Sequence, residues 1–309
     1  MKVLVILGPT ASGKTRLAVQ LARQLDGEIL SADSRQVYRG LDIGTGKDRH
    51  EYGEIPCHLI DLVDPGEPFD LFQYQQRCHI ALSEILARHR LPILTGGSGM
   101  YLAAIVQDYR LVPAQPDPLS HRELEPLSDQ ELTERLLTLQ PIQHNTTNLD
   151  TRARIIRALE IAQATHAAAG QSITRPTCDF LILGMRWERP VLRARIAHRL
   201  QERLENGLID EVSGLLARGI APATLEAFGL EYRFVTRFVL GQIDQATLFD
   251  QLVQAIRQFA KRQETWFRRM ERQGVTIHWL DAAHDPEQTA LTLIRTAWSF
   301  PVRHPSSQP

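Results

Sequence analysis

The feature that most narrows what this chain can fold into is the segment Gly8-Pro9-Thr10-Ala11-Ser12-Gly13-Lys14-Thr15. It matches the pattern G-x-x-x-x-G-K-[ST] and follows the apolar run Val3–Leu7. Behind it, Leu17, Ala18, Leu21, Ala22 and Leu25 recur at helical spacing. Strand, glycine loop, helix is the context in which such a loop cradles phosphates. Its backbone N–H groups and the helix N-terminus attract an anion. Lys14 adds a full positive charge, and the Thr15 hydroxyl suits a magnesium ion. The loop predicts a di- or triphosphate ligand, with Gly8 to Thr15 as its binding residues, and leaves the reaction open.

The rest of the chain extends the pattern. Strands are predicted at Glu28–Ser31, His58–Leu62 and Leu91–Thr95, with a helix over Phe72–Arg90 presenting Ile80, Ile85 and Leu86 on one side. Alternating strands and helices imply an α/β fold, a parallel sheet flanked by helices. Pro113, Pro116 and Pro118 then mark an extended linker. Helices at Asp129–Leu139 and Thr151–Ala169 follow, and Phe180–Met185 reads as a strand returning to the sheet. The predicted organisation is a first part of the core over 1–112, a helical insertion over 113–170, and the remaining core with C-terminal helices over 171–309. One late strand is expected at Val275–Leu280.

Composition excludes several alternatives. With 35 Lys and Arg against 36 Asp and Glu, net charge is -1, so nucleic acid can be held only by local patches. The cysteines Cys57, Cys78 and Cys178 show no CxxC spacing, which argues against a zinc site or a disulfide framework. The N-terminal apolar run is too short for a signal segment or a membrane span. A cytoplasmic protein with no membrane partner is expected, and a monomer.

Asp33 follows the second predicted strand, beyond whose carboxyl end ligands bind in open α/β sheets. It can serve as a base, hold magnesium, or cap the next turn. Between Gln254 and Arg272 lie six basic residues and two acidic ones. On a helix, Arg257, Lys261, Arg268 and Arg272 share a stripe, while Ile256, Phe259, Phe267 and Met270 form another face. The stripe is either a solvated face or a track for RNA phosphates. Arg152, Arg154 and Arg157 make a second basic group in the insertion.

In combination these segments resemble the tRNA dimethylallyltransferase (tRNA isopentenyltransferase) family. Gly8–Thr15 matches its G-P-T-x-x-G-K-[ST], Asp33–Gly40 its D-S-x-Q-[VI]-Y-[RK]-G, and Gly44–Lys47 its G-T-[AG]-K. Pro56–Asp61, Gly96–Tyr101, Arg154–Glu160 and Ala260–Arg268 match further motifs, in order along most of the chain. Cys57 replaces one histidine of a pair, Ser98 stands where threonine is usual, and Glu226–Glu231 departs from x-A-I-G-Y-[KR]. These departures leave the chemistry intact and fall on the RNA side.

The resemblance implies transfer of a dimethylallyl group from dimethylallyl diphosphate to the exocyclic amino group of the adenosine 3′ of the anticodon. The implied partners are the anticodon stem-loop of tRNA and the diphosphate donor, and the implied cofactor is Mg²⁺, held by Thr15. Asp33 would be the base, Ser98 would orient the adenine, and Lys14 and Arg199 would stabilise the leaving diphosphate. Asp33, Ser34, Arg35, Gln36, Ser98, Arg154, Arg157, Gly229, Lys261 and Arg268 would meet the tRNA. An adenylate isopentenyltransferase would share the loop and Asp33 without needing the insertion. A small-molecule phosphate-loop kinase would be a shorter chain.

Overall fold

Strand β1 (Lys2–Leu7) is fully buried from Val3 to Leu7, as an unbroken apolar run covered on both faces must be. In the computed structural model the described residues are 1–114, 123–140, 149–167 and 177–298. Among them β1 joins β2 (Gly27–Ala32), β3 (Cys57–His58), β4 (Leu91–Gly96), β5 (Asp179–Arg186) and β6 (His278–Asp281). The sheet order is β3-β2-β4-β1-β5-β6, and every pairing is parallel.

Helix α1 (Lys14–Leu25) follows the glycine loop, and α2 (Arg49–Tyr52) is a single turn. Then come α3 (Leu71–Ala87), α4 (Gly99–Val106), α5 (Asp129–Leu139) and α6 (Arg152–Ala167). The C-terminal helices are α7 (Arg189–Glu205), α8 (Leu208–Ala217), α9 (Pro222–Ala227), α10 (Leu230–Val239), α11 (Gln245–Arg272) and α12 (Pro286–Trp298). Leu4, Ile6, Ile29, Ile93 and Leu183 form one core with Leu17 and Leu21 of α1 and Leu291 and Ile294 of α12. A second core joins α7 to α11, through Ile196, Leu200, Val212, Tyr232 and Leu252, to Val37 and Leu41. The chain divides into two compact units, one of residues 1–108 and 176–309, the other of Tyr109–Arg175. The second unit is thus somewhat wider than the 113–170 read from the linker prolines. It has its own core of Leu132, Leu136, Ile155, Ile156 and Leu159. Pro116, Pro118 and residues 168–170 lie outside the described residues.

Three expectations are corrected. The third strand stops at His58, because Leu59 (φ 66°) and Asp61 (φ 53°) are left-handed and leave the ladder. Ile80 is 58% exposed; α3 buries Tyr74, Gln75, Cys78, Ala81, Leu82 and Ile85 instead. The last strand begins at His278 and not at Val275.

Candidate active site

Strand register assembles the site. Gly96 at the end of β4 is level with Leu7 of β1 on one side and with Ala32 of β2 on the other. Three neighbouring strands therefore end together and release Gly8, Asp33 and Gly97 at one edge of the sheet. That edge is the carboxyl end of the strands, where open α/β sheets bind ligands.

The phosphate loop is held from outside. Ala11 (φ 60°) and Gly13 (φ 87°) are both left-handed. The Trp187 indole N–H donates to the Ser12 carbonyl (2.9 Å), and Arg195 Nε donates to the Ala11 carbonyl (2.9 Å). Arg195 also stacks on the Trp187 ring at 4.5 Å. Ser12 Oγ is buried without a hydrogen-bond partner among the described residues. Not every amide of the loop faces the ligand: the Thr10 N–H is bonded to Gln263 Oε1 (2.9 Å). The free donors at the start of α1, at Lys14 and Thr15, are those that any helix N-terminus leaves without an internal acceptor.

Beside the loop lies a cavity of about 1140 Å³ lined by Ala11, Gly13, Lys14, Thr15, Asp48, His50, Arg195, Arg199 and Arg203, among others. Burial and the charges of Arg199 and Arg203 push the Lys14 ammonium down to about 8, with Asp33 and Asp48 pulling the other way. Arg199 pairs with Asp48, the residue that opens α2. Burial pushes the Asp48 carboxyl up, but Arg199 and Arg203 outweigh it and hold the group below its ordinary value. Arg203 pairs with Glu231 (3.2 Å), each side chain less than one-fifth exposed. Burial pushes the Glu231 carboxyl up against the pull of Arg203. Removing either partner of such a pair leaves an uncompensated buried charge.

Gly46 explains part of the segment Gly44–Lys47. It is left-handed (φ 64°), and a Cβ there would lie 1.8 Å from Arg203 Nη2 and 2.8 Å from Arg199 Nη2. The turn must yield that space for the two guanidinium groups to approach. Lys47 is buried and bonds Asp42 (2.7 Å), Asp61 (2.5 Å) and the Tyr38 carbonyl (2.7 Å). Glu211 accepts from the N–H groups of Asp42, Ile43 and Gly44 and from the Tyr232 hydroxyl (2.6 Å).

Asp33 and Ser98 stand on the neighbouring loops. Asp33 Oδ1 accepts from the Arg35 N–H (2.9 Å), so Asp33 stabilises its own turn and caps no helix. Among the described residues its Oδ2 has no hydrogen-bond partner. Ser98 occupies the N-cap position of α4, yet its hydroxyl does not cap the helix. It accepts from the Ser34 N–H (3.0 Å) and thereby ties the Asp33 loop to the β4–α4 loop.

Other predicted residues separate. Gln36 is buried, and its carboxamide accepts from Ser31 Oγ (2.7 Å) and donates to the Gly46 carbonyl (2.9 Å). It braces the site from inside. Arg35, Lys261 and Arg268 are exposed, and Ser34 is half-buried. Gly229 opens α10. Arg257 leaves the predicted stripe: it turns to the Arg193 carbonyl of α7 (3.5 Å). Phe259 is 38% exposed and so leaves the predicted apolar face. Within the second unit, Arg154 is exposed beside Asp150 (3.3 Å), whereas Arg157 bonds Glu160 (3.0 Å) and the Ala114 carbonyl (2.7 Å). Cys57 is half-buried against the core, and burial pushes its thiol up to about 12.

Sequence reasoning missed Asp48, Arg195, Arg203 and Gln263. For the arginines a signal existed: 195, 199 and 203 fall every fourth residue on α7, one face of a helix. Asp48 had no such signal, because only its contact with Arg199 reveals it.

Fold and site define a phosphate-loop α/β protein with a cationic cavity and an adjacent carboxylate. The family model described as IPP transferase matches residues 36–270, and one described as isopentenyl transferase matches residues 1–55. A tRNA dimethylallyltransferase 2 of Syntrophotalea carbinolica is 55% identical over 94% of this chain and 97% of its own length. A crystal structure of the tRNA isopentenylpyrophosphate transferase of Bacillus halodurans is 34% identical, covers 96% of each chain and superposes with a TM-score of 0.70. A eukaryotic dimethylallyltransferase acting on tRNA shares the fold, with a TM-score of 0.77 at 24% identity over 98% of this chain and 81% of that one. The chain belongs to the IPP transferase family.

Proposed function

We propose that this chain transfers a dimethylallyl group from dimethylallyl diphosphate to the exocyclic amino group of the adenosine immediately 3′ of the anticodon in tRNA. As a member of its family it is a tRNA-prenylating transferase. The observation that carries the detailed reading is the pairing of two environments at one sheet edge. A cavity lined by Lys14, Arg195, Arg199 and Arg203 suits a diphosphate, and Asp33 stands close enough to act on the Lys14 charge.

In the reaction the amino nitrogen bonds to the first carbon of the dimethylallyl group while the carbon–oxygen bond to diphosphate breaks. Charge develops on the departing oxygen, where Lys14, Arg199 and the first N–H groups of α1 stabilise it. Asp33 Oδ2 takes the proton from the amino group, a role typically worth about 10²–10⁴-fold. The Ser98 hydroxyl, fixed by Ser34, orients the base. Among the described residues no three His, Cys, Asp or Glu side chains form a metal cluster. Mg²⁺ needs few protein ligands when phosphate oxygens and water complete its shell, and the Thr15 hydroxyl on the cavity wall suits it. When bound there it would neutralise diphosphate charge.

The target adenine must leave its stack to reach Asp33, which costs least in a single-stranded loop. On the RNA side the reading rests on exposed Arg35, Arg154, Lys261 and Arg268. No helix among the described residues is long and apolar enough to cross a membrane. We place the protein in the cytoplasm with its tRNA, acting as a monomer.

The test is incubation with labelled dimethylallyl diphosphate and either unmodified tRNA or free adenosine monophosphate. Label should enter tRNA alone, diphosphate should be released, and ATP should not be consumed. Label in the free nucleotide, or ATP turnover coupled to tRNA, would overturn the assignment. In Lys14→Ala protein transfer should be largely lost while tRNA binding persists.

A further inference from the structure

We infer that Gln263 is a positioning residue for this transfer, holding the donor loop and the acceptor loop at a fixed separation. The inference rests on the reaction proposed above. Gln263 lies on α11, only 7% exposed. Its Oε1 accepts from the Thr10 N–H of the phosphate loop (2.9 Å). Its Nε2 donates to the carbonyl of Gly97 (2.9 Å), the residue before Ser98. Since one partner is a backbone donor and the other a backbone acceptor, the orientation of the carboxamide is set.

The chemistry explains why the bridge sits there. The β1–β4 ladder holds the two segments together only as far as Leu7 and Gly96. Beyond that level the ladder no longer joins the two segments: the first runs toward Lys14, and the second toward Ser98, whose N–H bonds the Ala32 carbonyl of β2 (3.1 Å) and not the phosphate loop. A carbon on the diphosphate and a nitrogen on the adenine must meet between them, and a misplacement of about 1 Å can cost about 10²-fold in rate. A buried carboxamide is costly unless both halves are paired. Here both are, one half on each loop. Gly97 is fitted to the contact, since a Cβ there would lie 2.3 Å from Gln263 Nε2. Leucine would fill the space without bridging, and ionised glutamate could accept from Thr10 but not donate to Gly97.

The experiment compares wild type, Gln263→Leu and Gln263→Glu by single-turnover transfer at saturating dimethylallyl diphosphate and tRNA. Dissociation constants for each substrate are measured alongside, and rates are expressed per folded molecule from thermal melts. Wild-type transfer in the same assay tests the reaction itself, so its absence sinks that reading rather than the bridge. With wild type active, both variants should slow by about 10–100-fold while both dissociation constants stay within about threefold. An unchanged rate in either folded variant overturns the inference. So does a rate loss matched by weakened binding of either substrate, which would make Gln263 a binding residue, or a loss that disappears once corrected for unfolded protein. Should Gln263→Leu fail to fold, Gln263→Glu decides alone.

Discussion

Asp33 carries the sharpest expectation because its two carboxylate oxygens have different work. Oδ1 is spent on the Arg35 N–H, which an asparagine oxygen would also accept. Asp33→Asn therefore keeps the turn and removes the base. The single-turnover rate should fall by about two to four orders of magnitude, with little change in binding of either substrate. If donor affinity falls with the rate and extra Mg²⁺ restores both, the carboxylate serves the metal instead. Gly46→Ala probes the other side of the cavity. The new methyl group would occupy the place of the Arg203 guanidinium and crowd Arg199, on a backbone that disfavours any side chain. We expect weaker diphosphate binding by calorimetry and a loss of about 1–3 kcal/mol in stability, a cost typical of strained left-handed positions.

Among the elements, β2 is tied to the start of α3's exit and to β3 through Glu28. Its carboxylate, only 4% exposed, accepts from Arg88 Nε (3.0 Å) and Nη2 (2.7 Å) and sits 2.6 Å from His58 Nε2. The Arg88 hydrogen bonds, helped by His58, hold Glu28 below its ordinary value despite burial. A folded pKa below the unfolded one means that the unfolded chain binds the extra proton first. The stabilisation is thus complete above the ordinary glutamate value of about 4.5 and fades as pH falls through the lower folded value. Urea titrations of Glu28→Gln should show a deficit of about 1–3 kcal/mol at pH 7 that narrows below pH ~4.5. A deficit independent of pH would mean that packing, not the charge, matters. Helix α11 faces two ways, with Gln263 inward and Lys261 and Arg268 outward. Reversing both outward charges should weaken tRNA binding and flatten its dependence on salt by about one slope unit per lost phosphate contact. An unchanged slope would leave that ridge as a solvated face.

The molecule as a whole separates its tasks. Every residue of the phosphate loop and cavity belongs to the unit of residues 1–108 and 176–309. The other unit, Tyr109–Arg175, has its own core. Replacing it by a short linker should leave diphosphate binding intact while transfer to tRNA drops. Loss of both functions together, in protein that still melts cooperatively, would show that the donor site depends on the second unit.

How much of this was legible beforehand follows from the range of the forces involved. Local signals named β1, the glycine loop, α1, Asp33 and α5, because hydrophobic period and turn chemistry act over a few residues; Ser98 came only from the family resemblance. The same signals misplaced the end of β3 and the face of Ile80, which depend on what packs against them. Gln36, which the resemblance alone singled out, is buried and braced to Ser31 and Gly46, a placement no local signal showed, since burial is decided by residues distant in the chain. Arg203 with Glu231, Asp48 with Arg199, and Gln263 with Thr10 and Gly97 are pairings across 28, 151, 253 and 166 residues. Sequence alone determined that this chain builds a phosphate loop at the end of a parallel strand and supplies a carboxylate and a hydroxyl after two others. Only tertiary structure decided that Gly96 lies level with Leu7 and Ala32, so that the three loops leave the sheet at one edge. Backbone hydrogen bonds between strands set that level, and no single segment encodes the register it shares with its neighbours.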